Sequence, residues 1–146
     1  MRDTVVFDID GTLSLVGDRL KHLAVDDWDS FYEAVEEDEV NLDIAAIYNA
    51  MHLSGWNIMF VTGRRESVRE KTMNWLDKHG LLGRGLSTAN LLMRKDGDKR
   101  HDTLVKPELV QGIKDRIVMI FEDRASMVDE WRRLGYTTLQ VARGDF

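Results

Sequence analysis

The stretch Thr4-Val5-Val6-Phe7-Asp8-Ile9-Asp10-Gly11-Thr12-Leu13 holds the residues best placed to do chemistry. An apolar run ends in two carboxylates one residue apart, followed by a glycine and a hydroxyl. Carboxylates about 4 Å apart repel by ~4 kcal/mol at an effective dielectric of 20, so something cationic belongs between them. Gly11 can adopt φ > 0, which lets the chain turn at once and leaves backbone N–H groups facing the acids. Three readings compete. A calcium loop opens with Asp-x-Asp but needs Gly at its sixth position and Glu at its twelfth; Leu13 and Arg19 stand there instead. A strand followed by an Asp-rich turn without chemistry is the plain alternative. The third is a magnesium-dependent phosphoryl-transfer site with a nucleophilic aspartate.

The elements that must position these groups are legible from hydrophobic patterning. Val5, Val6, Phe7 and Ile9 read as a short strand buried on both faces, as in a parallel sheet. A strand that ends in acid delivers its carboxylates to the sheet edge where open α/β folds bind ligands. Trp56 to Val61 is a second buried strand, ending in Thr62-Gly63-Arg64-Arg65, and Ile117 to Phe121 a third, ending in Glu122-Asp123-Arg124. Leu91 to Met93 and Thr137 to Val141 read as shorter strands. Between them lie helical patterns: Ile44, Ile47, Tyr48 and Met51, stopped by Gly55; about 66 to 79, stopped by Gly80; and Met127, Val128, Trp131 and Leu134, running to Gly135. A further helix is expected to open on Pro107, directly after Lys106, because proline suits a first turn. Strand alternating with helix gives a parallel sheet covered on both faces, and right-handed crossovers bring the three polar strand ends to one edge.

Residues 14 to 41 are polar and acidic. A Trp28/Phe31/Tyr32/Val35 stripe at helical spacing reads as a packing face, with base stacking as the alternative. The run Glu36-Glu37-Asp38-Glu39 reads as solvated surface. Within a chain of net charge −6, the Arg94 to Lys106 segment is locally basic, as a rim that tracks phosphates would be.

The whole chain bounds the class. Its 146 residues suit one domain, 1–146, with a small cap or flap insertion around 14–41. The first strand begins so close to Met1 that no signal or transit peptide is expected, no apolar run reaches spanning length, and a cytoplasmic location follows as the expectation. With no cysteine, disulfides and thiolate metal sites are excluded. No G-x-x-x-x-G-K-[ST] occurs, so no P-loop kinase is encoded in this stretch. Arg143-Gly144-Asp145 spells an adhesion tripeptide, which the absence of a secretion signal discounts.

Asp8-x-Asp10-Gly11-Thr12, Thr62, Lys106 and Asp123 match, in order, the four motifs of the haloacid dehalogenase-like phosphohydrolases. Within that superfamily the chain resembles the 3′-phosphatase domain of bacteriophage polynucleotide kinase. The likeness runs through Val61-Thr62-Gly63-Arg64, Arg94 to Lys106, Asp123-Arg124, Trp131-Arg132-Arg133-x-Gly135 and the ending Gln140-Val141-Ala142-x-Gly144-Asp145-Phe146. The resemblance implies a Rossmann-like α/β fold with a minimal cap. It implies Asp8 as nucleophile and Asp10 as acid and base, the latter kept protonated near neutral pH by its neighbouring carboxylate. It further implies Mg²⁺ held by Asp8, Asp123 and the backbone carbonyl of Asp10, with Thr62 and Lys106 on the phosphoryl group. Arg64, Arg94, Arg124, Thr12 and Gly63 would bind substrate. Glu122 stands where relatives carry Asp or Gly, and is expected to support the ligands rather than bond the metal.

The short gaps between motifs leave no room for a large cap, so an open site that admits a polymer end is expected. The implied function is a polynucleotide 3′-phosphatase acting on DNA or RNA ends through an aspartyl-phosphate, for end healing. The resemblance leaves room for a homo-oligomer and for a separate kinase or ligase partner. A nucleotidase acting on free mononucleotides is the enzymatic alternative. A non-catalytic phospho-receiver module is the other, although receivers place the phosphoaccepting Asp on a later strand.

Overall fold

The structure is a computed structural model describing residues 1–146, the side chain of Asp18 excepted. Its elements are β1 (Thr4–Phe7), β2 (Ser14–Leu15), α1 (Leu20–Leu23), α2 (Trp28–Glu33), β3 (Glu39–Val40), α3 (Leu42–Leu53), β4 (Asn57–Arg65), α4 (Arg69–Lys78), β5 (Leu91–Arg94), α5 (Asp102–Leu109), β6 (Ile117–Glu122), α6 (Ala125–Arg133) and β7 (Thr138–Gln140).

Five strands form one parallel sheet in the order β5-β4-β1-β6-β7, so β1 lies at its centre. The register pairs Phe7 with Phe60 on one side and with Phe121 on the other. Alternation along each strand divides the core in two. Val5, Phe7, Ile58 and Phe60 pack with Tyr48 of α3 and Trp75 and Leu76 of α4 on one face. Val6, Met59, Val61, Ile117 and Ile120 pack with Met127 and Trp131 of α6 on the other. This double burial is why the strands read as unbroken apolar runs rather than alternating ones.

Two departures from the sequence reading bear on the site. The helix after β5 begins at Asp102, capped by His101 Nδ1 accepting from Thr103 N at 3.3 Å, and Pro107 lies inside it. Lys106 is therefore delivered by a helical face rather than by a preceding loop. The region 14 to 41 is an excursion framed by β2 and β3, which pair antiparallel as Ser14 with Val40 and Leu15 with Glu39. Only Trp28–Glu33 of the aromatic stripe is α-helical. No helix among the described residues is long and apolar enough to cross a membrane.

Candidate active site

Asp8 is the first residue beyond β1. Its N–H donates to Phe121 O at 3.0 Å, which keeps it on the sheet, and the chain then folds back as the N–H groups of Thr12, Leu13 and Ser14 all converge on Ile9 O (3.1, 2.9 and 2.9 Å). No backbone N–H bonds the carbonyl of Asp10 among the described residues. Thr12 Oγ1 donates to Asp8 Oδ2 at 2.9 Å, and Lys106 Nζ donates to Asp8 Oδ1 at 2.8 Å. Thr12, fully buried, thus orients Asp8.

Gly11 has a φ of +84°, and a Cβ there would lie 2.0 Å from Asp123 Oδ2. The turn therefore needs glycine both for its left-handed backbone and for the close approach of a carboxylate. Asp123, brought in from the end of β6, completes a cluster in which one carboxylate oxygen each from Asp8, Glu122 and Asp123 lie within 4.8 Å of one another, all buried. Burial and the neighbouring charge of Glu122 push Asp8 well above the ordinary carboxylate range and raise Asp123 to about 6. Burial works against the charge of Lys106, but Asp8 and Glu122 hold its pKa well above the usual value. One ammonium facing three crowded acids leaves a set of hard oxygen donors short of positive charge, which suits Mg²⁺. Glu122, expected to support the ligands rather than bond the metal, contributes an oxygen to this cluster and also accepts from Lys106 Nζ at 2.9 Å.

Asp10 belongs to a different network. Arg64 reaches its two oxygens through Nε and Nη2 (3.0 and 2.8 Å), and Arg19 Nη2 lies 2.5 Å from Oδ1. Arg19 also holds Asp38 by two 2.7 Å bonds, and Arg64 Nη1 donates to Thr72 Oγ1 at 3.1 Å. The two acids, one residue apart, are thus not bridged by one cation: Asp8 has Lys106, and Asp10 has Arg19 and Arg64. Although burial raises the pKa of Asp10, the two guanidinium charges hold it far below the usual carboxylate range. The expectation that a neighbouring carboxylate keeps it protonated is not met. Arg64 is completely buried with donors on Asp10 and Thr72, so it is a partner of Asp10 and not a group presented to substrate. Asp38, expected in a solvated run, is buried against Arg19. Patterning missed both Arg19 and Asp38; the one available signal was that Arg19 is the only arginine between Arg2 and Arg64.

A third network fixes the corner between β4 and α5. Arg94 donates from Nε to Gly63 O at 2.9 Å, from Nη1 to the carbonyls of Asp98 and Arg100 (3.0 and 2.6 Å), and from Nη2 to Asp102. Asp102 also accepts from Arg124 Nη1 at 3.1 Å. Burial works to raise the pKa of Asp102, but the charges of Lys106, Arg124 and Arg94 bring it below its ordinary value. Sequence reading missed this hub. A Cβ on Gly63 would lie 2.5 Å from Asp102 Oδ1, so Gly63 serves close packing as well as lining the cavity. Thr62 is fully buried and its hydroxyl accepts from Arg64 N at 3.1 Å. Of the three arginines expected on substrate, Arg94 organises a loop, Arg64 holds Asp10, and only Arg124 has Nη2 without a protein partner among the described residues. Arg124 is held by Phe146, whose carbonyl accepts from Nε at 2.9 Å and whose ring lies under the guanidinium at 5.1 Å.

Asp8, Asp10, Lys106 and Asp123 line one cavity of about 780 Å³, together with Trp28, Phe31 and Tyr32 from the excursion and Lys99, Arg100 and Arg143. The aromatic stripe divides its duties: Phe31 and Val35 are buried, while Trp28 is 40% exposed.

The family model for the polynucleotide kinase PNKP phosphatase domain matches residues 2–146. A protein of Autographa californica nuclear polyhedrosis virus, described as a bifunctional polynucleotide kinase/RNA ligase, is 28% identical over 142 residues, covering 92% of this chain and 18% of the viral protein. A chain in the structure of the Pnkp1/Rnl/Hen1 RNA repair complex superimposes with a TM-score of 0.84 at 31% identity, over 99% of this chain and 44% of that one. A haloacid dehalogenase-like family protein of Streptococcus pneumoniae shares the fold, with a TM-score of 0.65 at 13% identity over 95% of this chain and 84% of its own. The chain therefore spans less than half the length of the first two relatives. The parallel sheet, the acids at its carboxyl edge and the family match together place the chain in the polynucleotide kinase phosphatase-domain family, with a haloacid dehalogenase-like fold.

Proposed function

We propose that the chain is a Mg²⁺-dependent phosphatase that removes 3′-phosphates from nucleic-acid ends through an aspartyl-phosphate on Asp8. The observation that carries this reading is the buried Asp8, held between Lys106 and Thr12 and facing Asp123 at the floor of an open cavity. Family membership supports a phosphoric monoester hydrolase. The kinase/ligase and RNA-repair relatives, and the cations Lys99, Arg124 and Arg143 in the cavity lining, support a polymer end as substrate.

Asp8, Asp123 and the Asp10 carbonyl would hold the ion, with Glu122 beside them; bound Mg²⁺ supplies neutralising charge to the phosphoryl oxygens. Thr12 and Lys106 fix the two oxygens of Asp8, leaving its carboxylate as the attacking group. Lys106 shields the incoming phosphate from the charge of Asp8 and Glu122. Asp10, ionised between Arg19 and Arg64, is in the form that takes a proton from the water that hydrolyses the intermediate, although the two guanidinium charges weaken it as a base. To serve as acid in the first step it must first gain a proton, and the negative charge of the incoming phosphomonoester favours that gain.

The decisive assay measures phosphate release, with and without Mg²⁺, from a 3′-phosphorylated oligonucleotide, its 5′-phosphorylated counterpart and a 3′-mononucleotide. The 3′-phosphorylated oligonucleotide is expected to be hydrolysed best, and only with the cation. A mononucleotide preferred by about tenfold or more in kcat/KM would replace this reading with a nucleotidase. We further propose that a kinase or ligase, in adjoining segments or in a separate chain, acts alongside.

A further inference from the structure

Resting on the reading that the cavity takes a nucleic-acid end, we infer that Trp28 and Tyr32 form a stacking wall for the terminal nucleobase of the substrate. The local sequence builds this wall. Asp26 turns the chain with a φ of 58°, and Asp27 caps α2 by accepting from Ser30 N at 3.1 Å. Trp28 therefore opens the helix, and Tyr32 follows one turn later on the same side. Their rings lie 6.0 Å apart at an interplanar angle of 29°, and Phe31 buttresses both edge-on at 5.7 and 5.3 Å.

The wall is fixed to the phosphoryl end of the cavity. Tyr32 Oη donates to Gly63 O at 3.3 Å, and Gly63 lines the same cavity as Asp8 and Lys106. The guanidinium of Arg65 lies over the Tyr32 ring at 4.9 Å. Trp28 keeps 40% of its surface exposed, and its indole N–H is already bonded to Asp26 Oδ1 at 2.9 Å. With that donor occupied, the indole offers a ring face and no hydrogen bond. An aromatic face in a cavity that also presents cations such as Lys99 and Arg143 can hold an unstacked base without reading its edges, so the wall takes any of the bases.

The test compares kcat/KM on two 3′-phosphorylated oligonucleotides, one with an ordinary terminal nucleoside and one whose terminal residue is abasic. The protein is expected to favour the base-bearing end by about fivefold to a hundredfold, the value of one base–aromatic stack. Trp28→Ala is expected to bring the base-bearing substrate down to the rate of the abasic one, and Trp28→Phe to restore most of the difference. Equal rates on both substrates in the unaltered protein would overturn the wall. So would a Trp28→Ala variant that keeps the preference, or one that loses activity on both substrates in equal proportion. If the unaltered protein hydrolyses a small phosphomonoester but neither oligonucleotide, the reading of the site as a nucleic-acid phosphatase fails, and the wall with it.

Discussion

Replacing Gly11 with alanine would place a Cβ 2.0 Å from Asp123 Oδ2 and 2.6 Å from its Cγ. To reach an ordinary contact of 3.4 Å, that oxygen must retreat by about 1.4 Å. It has little room to do so, being buried beside Asp8 and Glu122. The backbone adds a separate cost, since an L-residue in the left-handed region is disfavoured by about 1–2 kcal/mol. Gly135, which ends α6, isolates that second cost: its φ is +95°, and nothing lies within 4 Å of a Cβ built there. Gly135→Ala should therefore lower the melting temperature of the metal-free protein by about 2–8 °C, at ~2–4 °C per kcal/mol for a domain of this size, and Gly11→Ala by more, because it adds the clash with Asp123. Only Gly11→Ala should also lose the rise in melting temperature on adding Mg²⁺. It should lose about a hundredfold or more in kcat/KM as well, the scale of a 1 Å misplacement at a reacting centre. Thermal melts with EDTA and with Mg²⁺, paired with phosphate-release kinetics, separate the two costs. If Gly11→Ala matches Gly135→Ala in both cation response and activity, the contact between the turn and Asp123 does not matter and the reasoning is wrong.

Asp8→Asn should reduce phosphate release by a factor on the order of 10³ or more while leaving the metal-free melting temperature unchanged or raised, because it removes one of three crowded buried acids; substantial residual turnover would exclude Asp8 as nucleophile. Arg64→Lys should lower kcat by about 10- to 100-fold with little change in KM, since a lysine cannot fork between Asp10 and Thr72; a raised KM at constant kcat would show instead that Arg64 meets substrate. The pH dependence has a definite sign. Burial and Glu122 push Asp123 up to about 6 in the folded chain against 3.8 ordinarily, so the folded state binds the proton more tightly and the metal-free protein loses stability as pH rises from about 4 to 6. Cation-induced stabilisation should grow over the same interval, which melts at a series of pH values with EDTA and with Mg²⁺ would reveal.

The sheet and its carboxyl-edge acids were legible because both are short-range signals. Val5 to Asp10 and Ile117 to Asp123 state in consecutive residues that a buried strand ends in charge, and β-period burial follows from the sheet. What the patterning could not give were partnerships across the chain. Arg64 follows Thr62-Gly63 as a phosphate-binding arginine would, yet it meets Asp10, 54 residues away in sequence. Asp38 looks like its acidic neighbours, and the approach of Arg19, with Arg64 Nη2 at 3.6 Å, offsets the cost of its burial. Pro107 misled for a related reason: its preference for a first turn is a local tendency, and His101 set the helix start earlier. The aromatic stripe was ambiguous because packing and stacking demand the same residues; here Phe31 does the first, and Trp28 is left facing the cavity.

The pairing of Arg19 with Asp38 has a consequence for how such domains can be rebuilt. The two residues stand at either end of residues 20–37 and clasp that segment at its base, with Asp10 in the same grip. Lengthening the segment between them costs little loop entropy, which grows only with the logarithm of length, and leaves the clasp intact where Phe31, whose carbonyl accepts from Arg19 Nη1 at 2.9 Å, is kept. Grafts that exchange residues 20–37 but keep Phe31 and the core residue Val35 should therefore yield folded chimeras with altered selectivity. Grafts cut outside the pair import a foreign counter-charge for Asp10 and alter the chemistry itself. Evolution and engineering would meet the same boundary, one that follows an ion pair rather than the strand ends.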